Sequence, residues 1–492
     1  MAKAPKAPGH NGPGTAETLF DEFTTRMAAL DRSGYWRAKV AAAASGPVAQ
    51  LLGAEAARSL LPGLQAATHA DTQALGLIAA GLARRGDEDA AREARAEAIS
   101  NIKHRCVDGE LGTLAWCAVA RASAALTEDA EVDHALDGAE ACARRETSNP
   151  TQPWPHWMLA LAEHGRLDCL ARALAKTPAT NISSDIERAA IEGVALAVAR
   201  GDAGMFGRFG ETLRAGHGHV LHEGVVRGAE GALREGRGRA LFDVLGGFEA
   251  AGSYCADAGA RVALLAADGG DLALGREFAT FAGERAKHPS WVLANVFDAL
   301  GDADAAERLW AQLGLRERWP FGFHELQRPL RVVRARDAEA ARAFAQRYIE
   351  LARRRQGRDV WEALGEVGVA LVKAGEEALG RALLDEAVAG AEAIKQPDHG
   401  WSRNYTLQTL GVRLADAGEW APSLAALRKC TSKYFKPNIA SHLANAYARA
   451  GDPAGVVLAL SYAPATELKG LMAVCDTLHV TAGQTPPFTN WS

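Results

Sequence analysis

The amino-acid sequence predicts an all-α chain, a solenoid of stacked helix–turn–helix repeats. Two observations carry that prediction. Ala, Leu, Arg and Glu dominate while β-branched residues are sparse, which is the composition of helix formers. A short turn, most often Gly-Asp, then recurs along the chain between amphipathic runs.

The turns fall at Gly86-Asp87, Thr127-Glu128, Gly165, Gly201-Asp202, Gly236, Gly270-Asp271, Gly301-Asp302, Arg336-Asp337, Gly375, Gly418 and Gly451-Asp452. Their spacing runs from 31 residues (270 to 301) to 43 (375 to 418), room for two helices of about a dozen residues each. Glycine supplies the left-handed residue that closes the first helix. The Asp after it can cap the second helix and complement its dipole.

Taken in order, residues 1–14 read as a Pro/Gly-rich flexible tail without the apolar core of a secretory signal. The solenoid is assigned to 15–480. Leu19, Phe20, Phe23, Met27 and Leu30 share one face of a first helix, as a capping helix requires. In 74–99, Leu75, Ile78, Ala79 and Leu82 recur at helical spacing, and Ala90, Ala91, Ala94 and Ala98 follow the turn. Ser184-Asp185-Ile186-Glu187 has the form of a capping box. Trp291, Leu293, Ala294 and Phe297 precede Gly301, with Ala306, Leu309 and Trp310 beyond it. Leu364, Val367, Gly368 and Leu371 precede Gly375, with Gly380, Leu384 and Ala387 beyond it. Pro437 precedes a helix beginning near Asn438, residues 466–479 form a closing helix, and 481–492 form a C-terminal tail.

These units resemble the tetratricopeptide-repeat superfamily over about residues 70–465. The resemblance is carried by Leu410, Gly411, Leu414 and Gly418, by Leu443, Ala444, Tyr447 and Gly451, and by Leu75, Ile78, Ala79, Leu82, Gly86 and Ala91. Trp154 with Gly165 as its turn fits the same pattern. Met158, Leu170 and Leu241 stand where that family carries small residues, and Pro329 disturbs the unit before Arg336. The resemblance implies a right-handed superhelix of about eleven hairpins that presents a curved surface to a partner; a HEAT-like α/α solenoid is the competing geometry. The family's carboxylate clamp is incomplete, because Asn445 matches but Ser441 stands in place of its lysine.

A net charge of −5 argues against a general nucleic-acid binder. No run is long and apolar enough to span a membrane. Seven scattered cysteines (Cys106, Cys117, Cys142, Cys169, Cys255, Cys430, Cys475), an odd number, point to reduced thiols and a cytoplasmic compartment. Arg far outnumbers Lys, which fits a GC-rich genome better than a function.

Catalytic motifs fail one by one. His222-Glu223 and His324-Glu325 do not complete His-Glu-x-x-His, and no nucleophile elbow, phosphate loop or Cys-x-x-Cys occurs. Gly236-Arg237-Gly238 reads as a turn, and Glu376-Glu377 as acids in a first helical turn. His217, His219 and His222 form the densest histidine cluster, with Glu223 beside them, but Gly216 and Gly218 place the first two in a loop, so no metal is assigned. Trp154, Trp157, Trp291, Trp310 and Trp361 read as packing residues. No cofactor and no catalytic residue is expected.

Charge gives the one candidate surface. Between Arg316 and Arg358 twelve arginines face five acids, and Arg353-Arg354-Arg355 closes the segment. The stretch beyond turns acidic at Glu362, Glu366, Glu376, Glu377, Asp385, Glu386 and Glu392. Arg328, Arg331, Arg334, Arg353, Arg354 and Arg355 are therefore the candidate partner-binding residues, for an acidic protein segment or, alternatively, for nucleic acid. Internal ion pairs with the neighbouring repeats are the other reading of the same residues. The function expected is a non-enzymatic scaffold that binds a partner protein or peptide.

Overall fold

The computed structural model describes residues 13–30, 34–64, 70–105, 109–145, 153–177, 184–213, 217–246, 253–286, 288–314, 322, 325–395, 401–464, 468–485 and 487. The amino-terminal tail to residue 12, Cys106, the Cys255 side chain, Arg316, Arg318, His324, Pro486 and residues 488–492 lie outside the described residues.

Every regular element among the described residues is helical. The first seven α-helices are α1 (Pro13–Ala29), α2 (Gly34–Leu52), α3 (Ala54–Arg58), α4 (Ala70–Arg85), α5 (Glu88–Arg105), α6 (Gly109–Ala125) and α7 (Asp129–Arg145). Next come α8 (Pro153–Glu163), α9 (Leu167–Lys176), α10 (Ser184–Arg200), α11 (Ala203–Leu213), α12 (Gly218–Arg234) and α13 (Ala240–Gly246). They are followed by α14 (Ser253–Asp268), α15 (Leu272–Arg285), α16 (Trp291–Leu300), α17 (Ala303–Leu313), α18 (Gln327–Arg336) and α19 (Ala338–Arg353). The last are α20 (Asp359–Lys373), α21 (Glu377–Glu392), α22 (Trp401–Ala417), α23 (Trp420–Lys429), α24 (Lys436–Ala450), α25 (Pro453–Leu460) and α26 (Leu468–Thr481). The chain is an all-α helical repeat protein.

The turn grammar determines where each hairpin folds back. After α16, Gly301 takes φ 82°, its N–H bonds Asp298 O, and the Asp302 N–H reaches Phe297 O at 2.9 Å. Asp302 then accepts the Ala305 N–H at 3.0 Å and so caps α17. The same six-to-one bond closes the turns at Gly86, Thr127, Gly165, Gly201, Gly236, Gly270, Gly375, Gly418 and Gly451. Thr127 does this at φ 58°, a conformation in which a β-branched residue is strained. Arg336 departs from the pattern. With no left-handed residue there, Asp337 N bonds back to Val333 O instead, and Asp337 still caps α19 through the Glu339 and Ala340 N–H groups.

The chain groups into two compact units. One comprises Met1–Pro153, Gln356–Gly365 and Leu384–Ser492; the other comprises Trp154–Arg355 and Glu366–Leu383. In the second, α10, α12, α14 and α16 pack side by side in one layer, with α11, α15 and α17 against them. In the first, α2, α4 and α6 form one layer, with α5 and α7 behind. Backbones meet closely there, since a Cβ on Gly81 would press on the Gly46 carbonyl and lie 3.0 Å from the Gln50 nitrogen. The residues carrying the repeat resemblance, Leu75, Ile78, Ala79, Leu82, Ala91, Leu410, Leu414, Leu443, Ala444 and Tyr447, are buried.

The layer of the first unit runs on through the chain ends. α22 packs on α24, α24 on α26, and α26 on both α2 and α1. The apolar face of α1 is covered accordingly, with Leu19 and Phe23 fully buried. Arg26 lies at this seam, 2% exposed, and donates to Ala463 O at 3.0 Å, to Leu460 O at 2.9 Å and to Glu22 at 2.7 Å. Gln50 Nε2 donates to Ala482 O at 2.9 Å and His479 Nε2 lies 3.0 Å from Ala43 O, sealing the far end of the same contact.

Cys117, Cys142, Cys430 and Cys475 are buried, and Cys169 is half-exposed. No helix among the described residues is long and apolar enough to cross a membrane.

Candidate functional site

The arginines singled out by charge are placed at two kinds of position. Arg328, Arg331 and Arg334 lie on α18, one helical turn apart. Arg331 forms a two-pronged pair with Asp268 of α14, its Nε donating at 2.8 Å to a carboxylate only 14% exposed. Arg328 reaches Glu230 at 3.4 Å and the same Asp268 at 3.9 Å. Arg334 donates to Ala374 O at the end of α20 and pairs with Glu376 at 3.7 Å. All three make pairs within the molecule while their side chains stay about a third exposed. Arg353, Arg354 and Arg355 are instead exposed at the carboxyl end of α19, where cations complement the helix dipole.

Arg334 belongs to a wider set. Arg85 donates to Leu51 O at 2.8 Å, Arg276 to Leu300 O at 3.2 Å, Arg336 to Ala299 O at 3.3 Å and Arg403 to Lys429 O at 3.2 Å. Each of these carbonyls sits in the last turn of a helix, where acceptors have no partner along the helix. The glycine turns make room for this, since a Cβ on Gly165 would stand 2.6 Å from the Arg200 guanidinium. An arginine reaching across to a neighbouring helix end is thus a structural device of the repeat.

A different surface in the first unit has the features of a docking site. From Trp420 to Gly451 the sequence has no acidic residue, while Arg428, Lys429, Lys433, Lys436 and Arg449 are basic. The loop between α23 and α24 is held by side-chain hydrogen bonds. Asn404, buried on α22, accepts the Thr431 N–H at 2.8 Å and the Ser432 N–H at 3.3 Å, and Ser432 Oγ accepts the Tyr434 N–H at 3.2 Å. Phe435 meets Tyr405 edge-on with ring centres 6.0 Å apart.

This clamp presents Tyr434 57% exposed, with the Lys433 ammonium 5.3 Å from its ring centre and Lys469 Nζ donating to its carbonyl at 3.2 Å. Lys436 lies over the Tyr462 ring at 5.1 Å, and Arg428 donates to the Tyr462 hydroxyl at 3.3 Å. On α25, which packs along α24, Val457 and Leu458 are exposed. Lys429 is drawn into a pair with Glu392. Cys430, beside the loop, is buried, and burial raises its thiol above the ordinary range, which disfavours the thiolate. Sequence reasoning passed this surface over because it counted arginines. The available signal was the acid-free run with aromatics between its lysines.

The histidine cluster also takes a form the sequence did not give. His222 is half-buried, and burial together with the nearby Arg261 charge lowers its imidazole pKa. His217 and His219 converge with Glu187 of α10.

No family model and no curated protein matches the chain. Among solved structures, a circular tandem repeat protein with novel repeat topology and enhanced subunit contact surfaces aligns over 95% of this chain and 99% of its own, at 15% identity and a TM-score of 0.21.

Proposed function

We propose that this chain is a non-enzymatic, tetratricopeptide-like interaction scaffold of the cytoplasm that receives an acidic, partly apolar segment of a partner protein on the surface around Tyr434. The observation that carries the reading is a hydrogen-bonded loop presenting an exposed tyrosine among Lys433, Lys436 and Lys469. An exposed large aromatic costs solvation and is favoured at binding surfaces, where its ring is covered and its flanking cations meet carboxylates. Val457 and Leu458 give the partner segment an apolar foothold that a nucleic-acid backbone would not use. The overall charge of −5 likewise favours a protein partner.

The test is fluorescence anisotropy of the full chain with short labelled peptides that combine Glu or Asp with Leu or Phe, set against single-stranded RNA of equal length. The expected result is peptide binding that weakens with salt and falls about tenfold or more in the Lys433→Glu/Lys436→Glu variant. Tyr434→Ala should weaken it similarly without lowering stability, because the side chain is exposed. RNA binding tighter than that of every peptide, or peptide binding unchanged in these variants, overturns the proposal.

A further inference from the structure

We infer that Glu187, His217 and His219 form a binding site for a first-row divalent transition metal of the zinc class. Glu187 stands in the first turn of α10, while His217 immediately precedes α12 and His219 is its second residue. Helices α10 and α12 pack directly on each other within the second unit. That packing brings together side chains about thirty residues apart in sequence.

The geometry is that of a ligand set. Glu187 Oε1 lies 3.1 Å from His219 Nε2 and 3.6 Å from His217 Nδ1, and one ligand atom from each residue lies within 4.8 Å of the others. Ligands held tetrahedrally at about 2.0–2.1 Å from a zinc ion stand about 3.3 Å from one another. Two edges of the triangle therefore already bracket the required value. The remaining edge is no longer than 4.8 Å, and it joins the 60% exposed His219 to His217, which is 16% exposed.

The donor types narrow the ion. Two imidazoles and one carboxylate suit zinc, nickel or copper, whereas magnesium and calcium take oxygen ligands. Three protein ligands leave a fourth position for water. The two helix amino termini carry partial positive charge toward the site, so affinity should fall short of a closed four-ligand structural site. The ordinary alternative is a carboxylate accepting hydrogen bonds from two imidazoles, which requires no ion.

A tag-free full chain titrated with zinc chloride in competition with a chromophoric chelator decides between them. The inference expects one equivalent bound, a raised melting temperature with zinc, and the visible bands of tetrahedral cobalt when Co²⁺ is substituted. His219→Ala and Glu187→Gln should each weaken binding about tenfold or more and abolish the cobalt bands, with melting of the metal-free protein nearly unchanged because both side chains are partly exposed. No stoichiometric binding to the parent protein, or binding in both variants as tight as in the parent, overturns it.

Discussion

Arg26→Ala tests whether the chain ends hold each other. The guanidinium is 2% exposed and gives two bonds to carbonyl oxygens of Leu460 and Ala463, residues that are themselves buried. A hydrogen bond from a charged donor is worth about 1.5–3 kcal/mol net, and truncation removes two of them, although Leu460 O keeps the Ala463 N–H at 3.0 Å. The third bond goes to Glu22, whose side chain is 41% exposed, so water replaces it at little cost. Water admitted into the vacated volume recovers part of the rest. The net loss should be about 3 kcal/mol, which is about a hundredfold in an opening equilibrium. Because the chain comprises two units, hydrogen exchange in peptides from α1 and from α25–α26 reads this better than one melting temperature. Arg26→Lys should give an intermediate loss, since one ammonium cannot span both carbonyls. Exchange within about twofold of the parent protein in those peptides would refute the reasoning.

Two further outcomes follow from the same kind of accounting. Burial lowers the His479 pKa from 6.5 to about 4, against the opposing bonds to Ala43 O and Gln484 and with the Arg84 and Arg121 charges adding to it. The neutral imidazole belongs to the folded state, so its contribution of about 2–3 kcal/mol is intact above pH 6.5 and lost as pH falls toward about 4. Protection of α26 should fall over that window, and His479→Gln should flatten the dependence; an unchanged slope would count against the assignment. Reversing Arg331→Glu together with Arg334→Glu should destabilise the second unit by about 2 kcal/mol, since half-buried Asp268 and Glu376 then face like charges. Urea unfolding checks this, and a change below about 0.5 kcal/mol would show the pairs to be idle.

The hairpins were legible in the sequence because their signals are local. Gly301 and Asp302 decide a helix stop and a helix start within a few residues, and the structure realises that choice through one hydrogen bond and one cap. Even Thr127, read as a turn without glycine, adopts the left-handed conformation. The roles of the arginines were not legible, because Arg334 and Arg336 act on carbonyl oxygens about forty residues away and a run of like charge does not reveal its acceptors. His219 was visible as a possible ligand, but Glu187 lies 32 residues upstream, where the local pattern gives it only a helix-capping role.

The chain ends show the same limit from the other side. Leu19, Phe23 and Met27 read plainly as an apolar face, and the expectation of a capping helix follows from the need of any repeat array to finish in a polar outer surface. The structure meets that need differently, because the face of α1 is covered by α26 and Arg26 bonds across 437 residues of sequence. Each terminal helix thus supplies what the other would otherwise need from a polar cap. Shortening either end should then expose the apolar face of the other, so the first unit depends on segments at both ends of the chain, whereas a linear array could lose one end repeat at the cost of one interface.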